Sequence, residues 1–261
     1  SSNAVVFDIH GEYEPIKSEN IKHYKIAGPS DDVSDKFIYL PYWLLTYEEM
    51  ISMMIDRSDN NAPNQAMIFS RTVLECKTNY LNSIHKSDIV EDITIDSPIP
   101  YNIQLLLDKL NEINTEVVPG AKPGLTKKGD FNGTLSRFIQ RLQNKIMDKR
   151  LNFLFSNDKS LLNYDYMFKL CSKLMSSASN GGGVKIIDFS EVPSDVLSLV
   201  VSLVARLIFS VQQWTERNKI NPIAIFCDEA HLYIPQDTKQ GVEVQSLSSF
   251  ERIAKEGRKY G

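Results

Sequence analysis

Two neighbouring carboxylates follow an apolar run in the last quarter of the sequence. The segment PIAIFCDEAHLYIP (222–235) has the pattern of a buried strand that ends in Asp228 and Glu229. Carboxylates resist burial unless a cation or hydrogen-bond donors compensate their charge. Three chemistries fit this pair: a metal-ligand set, a DEAH box of helicase type, or the acidic end of a strand in a nucleotide-hydrolysing enzyme.

The nucleotide-hydrolysing alternative gives each carboxylate a separate role. Phosphoryl transfer to water needs Mg²⁺ at the phosphates and a group that orients the attacking water. Asp228 at the strand end can hold the Mg²⁺ shell, while Glu229, turned away by the pleat, can act as general base. The alternative without a catalytic role is a strand that ends at the protein surface, where both carboxylates are solvated. Zinc is not favoured, because His231 has no second His or Cys nearby.

A second strand-like run also ends in an acidic turn. In VVFDIHGEY (5–13), Asp8 is followed by His10, Gly11 and Glu12. A sharp turn at Gly11 can aim His10 or Glu12 back over the edge of the sheet. Since ligands of open parallel sheets bind beyond the carboxyl ends of the strands, two acidic strand ends predict one shared site.

The last segment, SSFERIAKEGRKYG (248–261), supplies cations. Its apolar stripe predicts a helix that ends at Gly257, which leaves Arg258 on a following loop. Such an arginine can stabilise the charge on a γ-phosphate of its own or a neighbouring subunit. A solvated basic helix end is the simpler alternative.

The coarse element pattern predicts an α/β fold. Four mostly continuous apolar runs (4–8, 36–40, 184–189 and 223–228) are typical of parallel strands covered by helices. A helix capped by Ser194 or Asp195 and running to about 217 completes a strand–helix–strand unit. The segment 41–178 has helical spacing instead, at 43–56, 64–85, 101–115, 133–149 and 164–178, around a Gly/Pro/Lys-rich loop at 117–133.

We therefore expect three parts: the first part of an α/β core at 1–40, a mainly helical insertion at 41–178, and the second part of the core at 179–261. The stretch SNGGG (179–183) is the expected hinge that returns the chain to the sheet.

Bulk composition limits the partners. With 42% hydrophobic residues, 24% charged residues and a net charge of −4, the chain has no global basic field. A nucleic-acid site must then be a local patch. One candidate is the stripe Arg137, Arg141 and Lys145, joined by Lys127 and Lys128 in the adjoining loop. The alternative is the solvated side of an amphipathic helix.

Three scattered cysteines favour a reducing compartment, hence a cytoplasmic location. No segment is expected to reach the apolar length that spans a membrane.

Taken in order, FDIHGEY, VKIIDFSEVPSDVLSLVVSLVARLIF, IAIFCDEAHLYIP and IAKEGRKYG resemble the HerA family of ATPases, within the HerA–FtsK superfamily. MDKRLNFLFSN (147–157) is also similar to that family. The resemblance covers most of the chain. DEAH alone would indicate a superfamily-2 helicase, but the other segments resemble HerA.

The resemblance implies a RecA-like core, a homo-hexameric ring, ATP and Mg²⁺ as cofactors, and translocation of double-stranded DNA. Such proteins often work with a partner nuclease or other effector. By motif, Asp228 would be the Walker B aspartate, Glu229 the general base and Arg258 the phosphate-sensing arginine. Asp8, His10 and Glu12 would form the turn beside the nucleotide. The rival readings are a non-catalytic assembly or DNA-binding module and a conjugation or secretion ATPase of the same superfamily.

One family feature is missing. No glycine in the 261 residues is followed by lysine, so the phosphate-cradling G-x-x-x-x-G-K-[ST] is absent. We therefore expect the sequence to be an internal piece of a longer protein, and to bind ATP weakly as it stands.

Overall fold

The computed structural model describes residues 3–122, 124–175, 183–234 and 242–261. A five-stranded sheet forms its centre, with the order β3-β2-β6-β1-β7 and every neighbouring pair parallel. Its strands are β1 (Asn3–Asp8), β2 (Ile21–Ile26), β3 (Phe37–Ile38), β6 (Val184–Asp188) and β7 (Ile223–Cys227). The predicted α/β fold, a parallel sheet with flanking helices as in a RecA-like core, is confirmed. The hinge predicted at 179–183 lies, apart from Gly183, outside the described residues.

Strand β2 is the one strand of this sheet that the sequence pattern missed. Its sequence, IKHYKI, mixes Lys and His with apolar residues, so it lacks a continuous apolar run. The physical reason is its exposure: β3 pairs only with Lys25 and Ile26, so most of β2 borders the edge of the sheet.

Three strands of this sheet bring aspartates to one edge. Asp8 and Asp188 are register partners across β1 and β6. Phe7 pairs with Cys227 across β1 and β7, so Asp228 continues the row on the other side. Parallel pairing alone therefore sets Asp188, Asp8 and Asp228 side by side at the carboxyl ends.

Eight α-helices occur in the described part of the chain: α1 (Tyr47–Met54), α2 (Ala62–Ser83), α3 (Ile103–Thr115), α4 (Ser136–Met147), α5 (Asn152–Phe155), α6 (Tyr166–Met175), α7 (Ser194–Trp214) and α8 (Val242–Tyr260). All six predicted helical patterns, including that from 194, fall on observed helices. The predicted cap of α7 is wrong, because Pro193 occupies the N-cap position and no side chain caps the first turn. Proline fits there because its fixed φ suits a helix start.

Helix α7 also corrects the expectation about membranes. Its 21 residues include an 18-residue window with a mean hydropathy of 1.9, and this satisfies the length and composition of a membrane-spanning helix. However, 67% of its most apolar window is buried inside the fold. The core helix of a globular α/β domain has the same character, so this helix is weak evidence for a membrane.

The predicted end of α8 at Gly257 is also wrong. The helix continues to Tyr260, whose ring packs edge-on against Phe209 of α7 at a centroid distance of 5.7 Å. Gly257 lies against Ile253 within the helix. Packing against α7 thus outweighs the modest helix penalty of one glycine, about 1 kcal/mol.

By contacts, the chain forms two compact units. The first comprises Ser1–Pro41, Lys149–Leu161 and Asp165–Gly261 and contains the sheet; the second comprises Tyr42–Asp148 and Leu162–Tyr164. The second unit is shorter than the predicted insertion at 41–178. Its α2 and α4 meet through Phe69 and Phe138, whose rings lie 5.5 Å apart.

The segment 117–133 is not the plain loop predicted from its Gly and Pro content. It contains an antiparallel hairpin, β4 (Val117–Pro119) and β5 (Thr126–Lys128). Gly120 and Gly124 lie between the two strands, while the flanking residues pair. The Gly content therefore indicated the turn correctly but did not indicate the strands.

Lys185 is buried in the middle of the sheet. Its side chain is only 4% exposed, and its ammonium has no hydrogen-bond partner among the described residues. Burial and, to a lesser extent, the charge of Lys22, its register partner on β2, together lower the pKa of Lys185 to about 8. The folded state therefore bears a charge there that it does not neutralise.

Replacing this lysine by an apolar residue should stabilise the protein. We expect Lys185→Met to raise the free energy of unfolding at pH 7 by about 1–3 kcal/mol, because the buried unpaired ammonium is removed. The folded protein releases this proton near pH 8 and the unfolded chain near 10.5, so the penalty is complete below pH 8 and fades as pH rises towards 10.5. The gain measured by urea unfolding should shrink accordingly between pH 7 and 10. The exposed Lys17→Met serves as control, and a gain independent of pH would contradict the assignment.

Candidate nucleotide site at the carboxyl edge of the sheet

Asp8 organises the turn that follows β1. Its side chain is 1% exposed, and Oδ1 accepts the N–H groups of Gly11 and Glu12 at 2.8 and 3.1 Å. Oδ2 accepts the N–H of Tyr13 at 3.0 Å. Three backbone donors thus compensate the buried carboxylate, and the sequence HGEY is folded around it.

Gly11 makes this turn possible. Its φ of +73° lies in the left-handed region, which residues with a Cβ rarely adopt. A Cβ would also lie 3.4 Å from Ser190 Oγ and 3.5 Å from the Asp188 carboxylate. The exposed side chains of His10 and Glu12 flank the glycine.

Tyr13 connects this turn to the second acidic strand end. Its hydroxyl donates to Asp228 Oδ2 at 2.9 Å, across 215 positions of sequence. This hydrogen bond, together with the charge of Asp228, raises the pKa of Tyr13. The structure therefore brings Asp8, its turn and Asp228 together, on one rim of the sheet.

Asp228 is held from its main chain as well. The Tyr233 hydroxyl donates to Asp228 O at 2.9 Å, and Tyr233 is 1% exposed. Ser246 of α8 donates in turn to Tyr233 O at 2.9 Å, and the rings of Tyr233 and Phe250 lie 5.9 Å apart. The DEAHLY segment is thereby fixed to α8.

Glu229 has an unusual backbone. With φ 47° and ψ 38° it is left-handed, a conformation that costs a non-glycine residue about 1–2 kcal/mol. Its N–H donates to Asp228 Oδ1 at 3.0 Å, and its exposed carboxylate lies 3.2 Å from His231 Nδ1. Backbone strain of this kind is often found at functional sites.

The third aspartate of the edge, Asp188, lies near the ammonium group of Lys25. Asp188 accepts the Ser190 N–H at 2.7 Å and lies 3.9 Å from Lys25 Nζ, which also donates to Glu191 at 3.0 Å. Burial acts to lower the pKa of Lys25, but the bond to Glu191 and nearby carboxylate charges outweigh it, and the pKa is raised. Asp188 therefore shares the positive charge of Lys25 with Glu191.

Asp228 is the aspartate of this edge that suits a metal. It is partly exposed, and each of its oxygens accepts one hydrogen bond, which leaves further lone pairs. Among the described residues no three His, Cys, Asp or Glu side chains form a metal-binding group. Zn²⁺ would need such a group, whereas Mg²⁺ is commonly held by one or two carboxylates plus phosphate and water. The donor set therefore fits Mg²⁺.

Arg258 does not join this cluster. It is exposed on α8 rather than on a loop. Helix α8 runs back along β7, since Ser246 contacts Tyr233 at the carboxyl end and Gly261 O accepts the Ile223 N–H at the amino end. At about 3.3 Å per strand residue, the two ends lie about 17 Å apart. Arg258 is near the amino end.

The predicted basic stripe belongs to the second unit. Arg141 on α4 is bound to Asp56 at 2.9 Å, and Lys145 is half-buried. Arg137 is exposed, and Lys127 and Lys128 are exposed on β5.

Two tyrosines were missed as site residues from sequence. The predicted site contains neither Tyr13, the last residue of VVFDIHGEY, nor Tyr233. A local signal existed for Tyr233, which lies five residues after Asp228 and donates back to its carbonyl; Tyr13 follows Asp8 but donates to Asp228, which no local spacing indicates. The three cysteines are free, and Cys76 is buried.

Comparison with known proteins identifies one relationship. The family model described as "Helicase HerA, central domain" matches residues 1–208. The match includes β1, the turn around Asp8, and β6, and it ends before β7, so Asp228 and Glu229 lie beyond it. No curated protein matches the chain.

Removing the Asp8 carboxylate should unfold the turn. We expect Asp8→Ala to lower the free energy of unfolding by about 1.5–3 kcal/mol, because three backbone donors lose a charged acceptor. Asp8→Asn keeps one acceptor oxygen and should lose less. Urea unfolding measures both, with the exposed Asp32→Ala as control. Equal losses for the alanine and asparagine variants would show that the hydrogen bonds contribute little.

The Tyr13–Asp228 hydrogen bond should raise the pKa of Tyr13, which an NMR titration of protein with ¹³C-labelled tyrosine rings can measure. The Tyr13 signal is identified because it is missing from the spectrum of Tyr13→Phe, and its pKa should lie above the ordinary value. Asp228→Asn should lower it, because the accepting anion is gone, whereas Asp188→Asn should leave it unchanged. A Tyr13 pKa insensitive to Asp228→Asn would refute the contact.

Proposed function

Because the chain belongs to the family of the HerA helicase central domain, we propose that it forms the part of an ATPase core that handles the metal and the attacking water. In the whole protein this core hydrolyses ATP with Mg²⁺ and drives the movement of double-stranded DNA. The observation that carries the proposal is the hydrogen bond from Tyr13 to Asp228, which unites two acidic turns at one rim of a parallel sheet. Nucleotides bind at that rim in open α/β folds.

Asp228 would take the metal. Bound Mg²⁺ would neutralise the phosphate charge that develops during phosphoryl transfer. Asp228 contributes an anionic oxygen at a position fixed from both sides, by the hydroxyl of Tyr13 and by that of Tyr233 on its main chain. The fixed position supports the role, since a preorganised ligand needs no rearrangement when the metal enters.

Glu229 would accept the proton of the attacking water. Its exposed carboxylate follows Asp228 on a left-handed backbone, and His231 Nδ1 lies 3.2 Å from it. In this division of roles Glu229 would take the proton while Asp228 holds the metal. His10 and Glu12 flank the same rim and would border the nucleotide.

Arg258 supports the proposal of a ring. It lies near the end of β7 opposite Asp228, so within one chain it is remote from the proposed metal. In a homo-hexamer an arginine on an outward helix can reach the nucleotide of the neighbouring subunit. We propose this role in trans, in a cytoplasmic ring that acts with a nuclease or another effector.

The proposal can be tested on the whole protein with Glu229→Gln. We expect the turnover number for ATP to fall at least about 100-fold, because the general base is lost, while ATP binding persists. Glu216→Gln, at an exposed turn on the far side of α7, is the matched control. Steady-state phosphate release and calorimetric ATP binding measure the two quantities.

Unaltered turnover in Glu229→Gln would exclude this residue as the base. Absence of ATP turnover in the whole wild-type protein would favour the rival function, a non-catalytic assembly or DNA-binding module on the same fold. A secretion ATPase of the same superfamily would retain turnover but would not be stimulated by DNA.

A further inference from the structure

The β4–β5 hairpin of the second unit projects basic and apolar side chains into solvent. Between Val117 and Lys128 the sequence contains three lysines and no acidic residue. Lys122, Lys127 and Lys128 are exposed, and so are Val117 at 61% and Leu125 at 60%. None of the three lysines forms an ion pair within the described part of the chain.

The lysines emerge on both faces of the ribbon. Val117 pairs with Lys128, and the next pair is Val118 with Lys127. Directly paired residues share a face and successive residues alternate, so Lys127 and Lys128 lie on opposite faces. Such a ribbon suits negative charge on both of its sides rather than a flat acidic surface on one side.

The base of the hairpin is firmly held. Asn132 Nδ2 and the Gly129 N–H both donate to Glu116 O, at 2.8 and 2.9 Å. Asn114 accepts the Leu135 N–H through its side chain at 2.9 Å and the Gly133 N–H through its carbonyl at 2.8 Å. The ribbon is thus presented in a defined direction from between α3 and α4.

Helix α4, in contrast, has its cations partly neutralised. Arg141 is bound to Asp56. The pKa of Asp59 is lowered, chiefly by the Asn61 N–H that it accepts, and also by the charges of Arg137 and Arg141. Three lysines without an ion pair among the described residues therefore lie together on the hairpin, whereas Arg141 of the helical stripe is paired with Asp56.

The size of the ribbon is compatible with a groove of double-stranded DNA. A two-stranded ribbon fits the major groove of double-stranded DNA, which is about 12 Å wide. There, phosphate backbones run along both sides of the inserted element. An isolated two-stranded hairpin is marginally stable in water, so one with exposed aliphatic residues gains from such a partner.

We propose that the β4–β5 hairpin lies in a groove of double-stranded DNA, with Lys127 and Lys128 contacting the phosphates of the two opposite strands and Lys122 contacting phosphate near the tip. The inference rests on the proposed function in that the DNA is the track of the ATPase. It assigns the contact to a specific element of the helical unit.

The test is a salt titration of DNA binding by the whole protein without nucleotide. The probe is a fluorescein-labelled 30-base-pair duplex of mixed sequence, read by fluorescence anisotropy. We expect Lys122→Gln/Lys127→Gln/Lys128→Gln to weaken binding about 10- to 100-fold at 100 mM salt and to reduce the slope of log K against log salt by about 2–3, since each phosphate contact contributes about 0.9.

Two control variants accompany the triple change. Lys17→Gln/Lys159→Gln/Lys219→Gln removes the same charge from exposed positions of the other unit and should leave affinity and slope near the wild-type values. Lys122→Arg/Lys127→Arg/Lys128→Arg keeps the charge and should retain the affinity. Thermal melts establish that all variants are folded.

Unchanged affinity and salt slope in the hairpin variant would overturn the proposal. So would competition by poly-glutamate as strong as that by unlabelled duplex at equal charge, since this would indicate an acidic protein partner. Because binding is measured without ATP, the result is independent of the Glu229→Gln test: normal turnover in that variant refutes the catalytic assignment alone, and unchanged binding here refutes the hairpin alone.

Discussion

The hydrogen bond between Tyr13 and Asp228 connects two turns that the chain keeps 215 positions apart. It can form because Asp8 folds the intervening HGEY turn around its own carboxylate, with three backbone donors. The buried Asp8 carboxylate and its three donors set the shape of the turn, and that shape positions the Tyr13 hydroxyl. The proposed metal ligand is therefore positioned by a carboxylate that is itself buried and already accepts three hydrogen bonds.

The sheet edge shows how one fold gives similar residues different roles. Asp188, Asp8 and Asp228 lie side by side because three parallel strands end together. Asp188 shares the charge of Lys25 with Glu191, and Asp8 is buried and accepts three backbone N–H groups, whereas Asp228 is partly exposed and accepts one hydrogen bond at each oxygen. Burial and existing partners thus distinguish the three carboxylates, which proximity alone would have treated as equal.

Charge in the helical unit follows the same logic. The periodic cations of α4 predicted a binding stripe, but Asp56 approaches Arg141 from a distant part of the sequence. No periodicity within α4 contains that information. The hairpin, which was predicted as a loop, presents exposed lysines that form no ion pair within the described part of the chain. Pairing partners that come from elsewhere in the chain therefore redistribute the effective charge.

The sequence by itself determined the fold class, most of the strands, the six predicted helices and the kinship with HerA, because continuous apolar runs, helical spacing and local motifs are encoded within short segments. It also identified Asp8 and Asp228 as strand ends. Only the tertiary structure decided which of them retains lone pairs, that Tyr13 and Tyr233 hold Asp228, and that Arg258 lies near the other end of β7. Those features depend on distances between segments remote in sequence, which strand register and helix packing set and local patterns do not contain.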